Sequence, residues 1–328
     1  MSMIEVFNLS KSFNIPKKSD SKFEKIISPF YKKYEQVEVV KDLNFSIDKG
    51  EIVGFIGKNG AGKSTTIKML TGVLTPSKGK VKIDGYDPYK QKKKILSNIG
   101  VVFGQRTQLW WDLPLIDSFQ LIKKIYDVNE DDFRIRLEQF NDILNLDQLL
   151  HKPIRLMSLG QRMRADIAAS LLHNPKVLFL DEPTIGLDLE AKENILNFIK
   201  EFNAEKDTTI ILTTHDMADI EKLSNRLIII DEGQIYFDGS LNRLKSVYGR
   251  LNSVRITSKN FVNIPKEIHS FSKVKKLSNH VIEVTYQKKD TEISQILFPF
   301  LKNNEIKDIQ IIEEKIEDIV SELYKGSR

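Results

Sequence analysis

A glycine-rich stretch carries the clearest chemical signal in the chain. Residues 57–65 read GKNGAGKST and fit the pattern G-x-x-x-x-G-K-[ST]. The stretch follows the apolar run Ile52–Ile56 and opens a helix-like run, which is the context that the pattern needs. Glycines let backbone amides approach phosphate oxygens, and a helix N-terminus adds partial positive charge. The predicted phosphate-binding residues are Gly57, Lys58, Asn59, Gly60, Ala61, Gly62, Lys63, Ser64 and Thr65.

Two side chains of this loop have distinct predicted roles. Lys63 carries an ammonium that reaches the β- and γ-phosphates of a bound nucleotide, and the Ser64 hydroxyl can ligate Mg²⁺. The alternative without a functional role is a Gly-rich turn that a Lys-Ser pair follows by chance. The preceding strand and the following helix favour nucleotide binding over it.

A pair of carboxylates stands at the end of another apolar run. Val177–Pro183 reads VLFLDEP, so four apolar residues precede Asp181 and Glu182. Two acids at the end of a buried strand are costly unless a cation is near. We assign Asp181 to Mg²⁺ and Glu182 to the base that orients the attacking water, with solvated strand-end acids as the alternative. His215, in TTHD, closes the next strand-like run and is placed to contact a γ-phosphate or that water.

Strand-like and helix-like runs alternate along most of the chain. This pattern predicts an α/β fold with a buried, mostly parallel sheet. The strand-like runs are Ile4–Leu9, Val37–Ile47, Ile52–Ile56, Val81–Ile83, Gly100–Phe103, Val177–Leu180, Thr209–Leu212 and Leu227–Ile230. The helix-like runs are Lys63–Leu70, Phe119–Tyr126, Phe133–Leu144, Leu159–Leu172 and Leu189–Phe202. Strands stop between about 112 and 172, which predicts an all-helical subdomain, and residues 250–328 predict a small α+β domain.

Composition excludes several classes of protein. The 328 residues include no cysteine, which removes disulfides, thiol catalysis and cysteine metal sites. No apolar run approaches the roughly 20 residues of a membrane span, so we expect a soluble or peripheral chain. The net charge of +5 is local, because seven lysines lie in residues 11–33 against Asp20 and Glu24. We therefore predict a basic insertion at about 14–36 and expect no nucleic-acid partner.

A further stretch indicates the family. Leu156–Arg162 reads LMSLGQR and opens a helix. Together with GKNGAGKST, Gln105, VLFLDEP, IGLD and TTHD in this order, the chain resembles the ATP-binding subunit of ABC transporters over roughly residues 1–245. It looks most like the ATPase of type-two exporters with a separate six-helix permease. GQRTQLWWDLP followed by SLGQRMR is similar to one subgroup of these. The resemblance implies a P-loop ATPase core, a mixed sheet flanked by helices.

The resemblance also implies roles for single residues. Gln105 is implied to ligate Mg²⁺ and to join the core to the helical subdomain. Asp188 belongs to the D-loop, and His215 is the switch histidine. Phe13 is implied to stack on adenine, with Tyr34 as the alternative. The signature segment comprises Ser158, Leu159, Gly160 and Gln161, in which Leu159 stands where the family usually has glycine.

The family geometry implies a shared active site. Two copies face head to tail, and each ATP lies between the phosphate loop of one copy and Ser158–Gln161 of the other. ATP thereby holds the dimer closed, and hydrolysis of the γ-phosphate lets it reopen. The enzyme activity implied is hydrolysis of ATP to ADP and phosphate, coupled to transport.

Two adjacent tryptophans stand apart from this chemistry. Trp110 and Trp111 lie among polar residues after Gln105, where family members touch the permease. We expect at least one of them to be exposed in the isolated subunit, with packing inside the helical subdomain as the alternative. The 14–36 insertion is expected to approach lipid headgroups or the permease, or to be a solvated loop. The implied location is the cytoplasmic face of the membrane. A soluble ATPase of ribosomes or DNA, or an importer ATPase, is the alternative function.

Overall fold

The computed structural model describes residues 1–16, 34–104 and 106–326, in two compact units. The units comprise Met1–Gly239 and Ser240–Arg328. Most of the predicted 14–36 insertion and Gln105 lie outside the described residues. Sequence reasoning placed the boundary between residues 245 and 250, at the end of a short helix that belongs to the second unit.

The first unit contains nine strands and seven α-helices within the described residues. The strands are β1 (Ser2–Pro16), β2 (Tyr34–Asp48), β3 (Ile52–Gly57), β4 (Lys78–Ile83), β5 (Ile99–Phe103), β6 (Val177–Asp181), β7 (Thr209–Thr213), β8 (Arg226–Asp231) and β9 (Gln234–Ser240). The helices are α1 (Lys63–Leu70), α2 (Lys92–Leu96), α3 (Leu115–Ile125), α4 (Glu130–Leu144), α5 (Leu159–Leu171), α6 (Leu189–Lys206) and α7 (Met217–Leu223).

The central sheet has six strands in the order β5-β6-β7-β3-β8-β9. Its first five strands pair in parallel. A two-residue turn, Glu232–Gly233, joins β8 to β9, and such a short connection permits only antiparallel pairing. Both turn residues have positive φ, as the tight hairpin turn requires. The sheet is therefore mixed, as the family resemblance predicted.

The interior of this sheet follows from unbroken apolar runs. All six residues of β3 and all five of β7 are buried. Helices follow the parallel strands, and strands covered on both faces need continuous apolar sequence. The carboxyl ends of β3, β6 and β7 lie side by side, so the residues that follow them gather at one edge.

A second sheet of three antiparallel strands has the order β2-β1-β4. Beyond Ser10, the last residue of β1 paired with β4, β1 pairs with β2 alone. Phe13 lies opposite Val37, and Pro16 lies opposite Tyr34. The two candidate adenine-stacking residues therefore lie on a two-stranded ribbon.

Helices fill the region between β5 and β6. The described residues between Phe103 and Val177 form α3, α4, α5 and two short 3-10 turns, with no named strand. Asn129 caps α4 and Ser158 caps α5, each through a hydrogen bond to the backbone three residues on. The predicted all-helical subdomain is present here.

The second unit contains a four-stranded antiparallel sheet. Its elements are α8 (Leu241–Tyr248), β10 (Leu251–Ser258), β11 (Ser272–Lys276), β12 (Val281–Gln287), α9 (Ile293–Asn303), β13 (Ile306–Glu313) and α10 (Ile316–Gly326), with strand order β11-β12-β10-β13. Alternate residues of β10 and β12 are buried with Ile296 and Phe300 of α9. The α+β character predicted for this region is present.

Sequence reasoning missed five helices and strands of the described residues. They are α2, β9, α7, β11 and α8. The strand β11 reads SKVKK and lies at the sheet edge, where lysines are tolerated and an apolar pattern is not needed. Pro299 sits inside α9, against helix propensity, because Ile296 and Phe300 bury the helix on the sheet.

Candidate active site

The glycine-rich loop connects β3 to α1. Gly62 caps α1 with φ 104°, a conformation that favours glycine. A Cβ at Gly62 would lie 2.9 Å from the Val39 carbonyl oxygen, so β2 backs the loop closely. A Cβ at Gly60 would meet nothing within 4 Å. The loop is therefore supported on one side and open at Gly60, as a cradle for phosphate oxygens requires.

Lys63 is held by its own loop. Its Nζ donates to the carbonyl oxygens of Gly57 at 2.6 Å and Lys58 at 3.1 Å. The side chain is buried, and burial lowers the pKa of the ammonium, while Glu182 and Asp181 act in the opposite direction. The cation thus lies within the field of both carboxylates and inside the cradle.

Asp181 and Glu182 leave the sheet at the carboxyl end of β6. Asp181 lies between Phe103 of β5 and Thr213 of β7, and the Thr213 hydroxyl donates to its Oδ1. Glu182 has φ 55°, an unusual value for a residue with a side chain. Its backbone nitrogen donates to the Thr213 carbonyl oxygen at 2.9 Å. The neighbouring strand therefore fixes both acids.

Glu182 and His215 form a direct pair. The His215 Nε2 lies 2.6 Å from the Glu182 Oε1, so an N–H at Nε2 donates to the carboxylate. The histidine is half-exposed, whereas Glu182 is largely covered. The two residues predicted to handle the attacking water are brought together.

A buried aspartate joins the loops around this pair. Asp219 of α7 accepts a hydrogen bond from Thr184 at 2.6 Å and forms an ion pair with Lys192 of α6 at 2.7 Å. Lys192 also binds Asp216, the residue after His215. Sequence reasoning missed this network, because its members are far apart in the chain.

Gly104 brings the segment before Gln105 against the carboxylates. Its nitrogen donates to the Asp181 carbonyl oxygen at 2.7 Å, and a Cβ there would lie 2.5 Å from the Glu182 carbonyl oxygen. Gln105 itself lies outside the described residues. Its assignment to Mg²⁺ stays a prediction.

The segment Ser158–Gln161 forms the first turn of α5. The Ser158 hydroxyl accepts from the Gln161 nitrogen, and the Gln161 side chain accepts from the Ser158 nitrogen, a reciprocal capping box. Leu159 reaches Gly186 of the same chain, because a Cβ at Gly186 would lie 2.7 Å from the Leu159 Cδ2. Asp188 caps α6 by accepting from the Ala191 nitrogen at 2.8 Å. The predicted signature segment and D-loop are therefore in contact within one chain.

The tryptophans lie at the surface of this unit. The exposed fractions of Trp110 and Trp111 are 39% and 48%. The Arg162 guanidinium of α5 lies 5.2 Å from the centroid of the Trp111 ring. Neither indole is buried in the helical region, so packing there does not account for them.

Asp166 ties the tryptophan segment to α5. Thr107 and the Gln108 nitrogen both donate to its Oδ1, at 2.9 and 3.1 Å. Burial raises the pKa of Asp166 to about 6, against the opposing effect of those two hydrogen bonds and of Arg162. Sequence reasoning missed this residue. Its only signal was one acid in the apolar run ADIAASLL.

The ribbon of β1 and β2 presents the candidate base-stacking residues. Phe13 is partly exposed beneath the Lys11 ammonium, which lies 5.2 Å from its ring centroid. Tyr34 is more exposed and sits at the first residue of β2. Both rings are available for stacking.

Known proteins match most of the first unit. The family described as "ABC transporter" matches residues 40–185. ABC transporter ATP-binding protein NatA of Bacillus subtilis is 32% identical over 215 residues, which is 66% of this chain and 87% of NatA. Linearmycin resistance ATP-binding protein LnrL of the same species is 33% identical, covering 69% of this chain and 72% of LnrL. Methionine import ATP-binding protein MetN 2 of Enterococcus faecalis is 32% identical, covering 65% and 62%. The chain spans only 27% and 29% of two longer Dictyostelium discoideum relatives, ABC transporter A family members 1 and 8.

Solved structures confirm the fold. An ATP-binding subunit of an ABC transporter superposes with a TM-score of 0.63 at 26% identity, covering 75% of this chain and 92% of that one. The dimeric structure of a bacterial ABC transporter cassette superposes with a TM-score of 0.62 at 25% identity, covering 73% and 99%. In residues 1–16, 34–104 and 106–326, no helix is both long and apolar enough to cross a bilayer.

Proposed function

The chain belongs to the ABC transporter ATP-binding proteins, and from this premise we propose that it powers an exporter through ATP-driven closure of a homodimer against a separate permease. ATP is its nucleotide, and the cassette's activity is ATP hydrolysis. The observation that carries the proposal is the Glu182–His215 pair beside Asp181 and Lys63.

In this proposal Glu182 orients and deprotonates the attacking water. His215, 2.6 Å from Glu182, holds that carboxylate in place and contacts the γ-phosphate. Lys63 exchanges its two loop carbonyl contacts for phosphate oxygens, since its Nζ already lies inside the cradle. Backbone amides of residues 57–65 bind the remaining phosphate oxygens.

The oxygen donors fit Mg²⁺. The Ser64 hydroxyl and the Asp181 carboxylate are hard oxygen ligands of the kind that Mg²⁺ takes alongside phosphate and water. Thr213 fixes one Asp181 oxygen and leaves the other available. When bound, Mg²⁺ neutralises charge on the phosphates. Gln105 is proposed as a further ligand.

The second half of the proposed site comes from another copy. The exposed fraction of Leu159 is 37% and that of Leu189, the residue after Asp188, is 74%, so the signature segment and the start of α6 present apolar side chains to solvent. The dimeric form of a similar cassette supports a second copy as the occupant. Ser158–Gln161 would then direct a helix N-terminus at the γ-phosphate across the interface. Phe13 is proposed to stack on adenine, with Tyr34 as the alternative.

A separate permease is proposed because relatives such as NatA are named as ATP-binding proteins of ABC transporters. Trp110 and Trp111 are proposed to anchor it, since exposed indoles suit a partner surface. The chain would then work at the cytoplasmic face of the membrane. A relative named for linearmycin resistance supports export, because resistance favours removal of a compound from the cell. Similarity to MetN 2, named for methionine import, supports import as the second candidate.

Purification of the tagged chain from native membranes in mild detergent tests the proposal. We expect a protein with about six apolar spans to co-purify, and reconstitution of the pair in lipid to raise ATP hydrolysis. In inverted vesicles with ATP outside, an exporter moves a labelled compound into the vesicle, whereas an importer moves it out. Co-purification with ribosomes or DNA and no membrane protein contradicts the proposal.

A further inference from the structure

The segment that carries the tryptophans has a defined anchor. The Thr107 hydroxyl donates to the Asp166 Oδ1 at 2.9 Å and accepts from the Leu109 nitrogen at 3.1 Å. Gln108 donates twice, from its nitrogen to Oδ1 at 3.1 Å and from its Nε2 to the Asp166 carbonyl oxygen at 3.1 Å. Three consecutive residues are therefore held through one side chain of α5 and its backbone.

The carboxylate stands in an apolar setting. Asp166 is only 6% exposed, and its neighbours Ala165 and Ile167 are fully buried. A buried charge is costly unless hydrogen bonds compensate it. Here the compensation comes from Thr107 and Gln108, with Arg162 as the nearby cation. Core packing of α5 alone would be served by an alanine at this position.

A second contact lies one turn earlier on the same helix face. Arg162 precedes Asp166 by four residues, and its guanidinium lies over the Trp111 ring. Arg162 is also only four residues from Ser158, the cap of α5. One helix face thus reaches from the signature segment to both ends of the tryptophan segment.

We propose that Asp166 is a positioning residue that fastens Thr107–Trp111 to α5, so that the tryptophan surface and the signature segment move together. The consequence for transport rests on the proposed function: a permease that displaces Trp110 and Trp111 would shift Ser158–Gln161 relative to the ATP of the other copy. The fastening itself depends only on the contacts of Asp166 and Arg162.

Two substitutions separate hydrogen bonding from charge. Asp166→Asn keeps an oxygen acceptor for Thr107 and Gln108, whereas Asp166→Ala removes it. Ser170→Ala is the matched control, because Ser170 is equally buried on α5 and its hydroxyl bonds within the helix to Ile167. All four proteins are studied as the full chain.

Amide hydrogen exchange tests the fastening without nucleotide. We expect Asp166→Ala to speed exchange in residues 107–111 at least about tenfold, as loss of a buried acceptor predicts. Asp166→Asn and Ser170→Ala should leave exchange there unchanged. Unchanged exchange in Asp166→Ala, or equal acceleration in Ser170→Ala, would overturn the fastening.

Intrinsic fluorescence tests the shared movement. The chain has two tryptophans, both in this segment, so its emission reports there directly. In a Glu182→Gln background, ATP with Mg²⁺ should change the emission of the parent and of Asp166→Asn. Asp166→Ala should bind ATP with the same affinity and lose the emission change. A response that persists in Asp166→Ala, or a parent that closes without any response, overturns the shared movement. Failure of the parent to bind ATP counts against the proposed function and leaves the exchange result standing.

Discussion

The phosphate loop and the signature segment differ in how much of their geometry one chain completes. The loop is held by contacts within its own chain: the buried Lys63 donates to two carbonyls of the loop, and β2 backs Gly62. The signature segment begins α5 with a satisfied capping box but leaves Leu159 partly exposed. We call the phosphate-loop region, whose contacts are complete within one chain, the finished half of the site, and the signature region the outward-facing half. Such a site is suited to completion by a second copy.

The two regions also differ in whether neighbouring or remote residues of the sequence set their geometry. The loop is formed by consecutive residues whose types dictate their backbone, so its motif predicts its shape. The signature segment gains its position from Gly186, Asp166 and the tryptophan segment, which lie far away in sequence. Substitutions at the two regions should therefore fail in different ways.

Glu182→Gln should have the largest effect on the finished half. Loss of the proposed base should lower ATP hydrolysis by about 10²–10⁴-fold, while the phosphate loop still binds ATP. Phosphate release and equilibrium binding of ATP measure the two quantities. Hydrolysis that is unchanged, or lost together with binding, would contradict the role of Glu182.

Asp166→Asn should show how much free energy of unfolding the buried Asp166 charge costs in the outward-facing half of the site. Burial raises the pKa of Asp166 from 3.8 to about 6, so the folded state disfavours its charge. The parent is therefore most stable below the unfolded pKa of Asp166 and loses this stability as pH rises through about 6. The full loss in its free energy of unfolding is about 3 kcal/mol, at ~1.4 kcal/mol per pKa unit.

Thermal unfolding of both proteins between about pH 3.5 and pH 8 measures this effect. The stability of Asp166→Asn relative to the parent should rise up to about pH 6–7 and then level off. A constant gap across the range would show that Asp166 does not titrate as described.

The sequence predicted the finished half more fully than the other half. The loop, the acids at the end of β6 and His215 all follow apolar runs, so strand ends place them at one edge. The pairing of Glu182 with His215 needed three-dimensional contacts, as did the network of Asp219. Asp166 and the contact of Leu159 with Gly186 left almost no local trace, because each joins elements remote in the chain.

Phe13→Ala tests whether Phe13 stacks on the adenine of ATP bound at the finished half. Loss of stacking should weaken ATP binding by roughly 1–3 kcal/mol, whereas Tyr34→Ala should leave it unchanged. Titration calorimetry with ATP, and with inorganic triphosphate as the control that lacks a base, measures the difference. The reverse pattern would assign stacking to Tyr34.

Gly186→Ala should have the smallest effect and probes the outward-facing half. Gly186 has φ 69°, and its added Cβ would meet the Leu159 Cδ2, so stability should fall by about 1–2 kcal/mol. In a Leu159→Ala background the fall should be smaller, because the steric part is gone. Thermal unfolding of the four proteins of this cycle measures the coupling. Equal losses in both backgrounds would mean that Leu159 does not press on Gly186.

Complementation between two inactive chains tests the shared site most directly. Lys63→Ala disables a phosphate loop, and Ser158→Arg disables a signature segment, so neither variant forms a working site by itself. In a mixed dimer the intact loop of one chain faces the intact signature segment of the other. The account predicts that each variant alone fails to hydrolyse ATP and that an equal mixture regains hydrolysis. A mixture as inactive as its components, or a Ser158→Arg chain that hydrolyses ATP normally, would contradict a site shared between two copies.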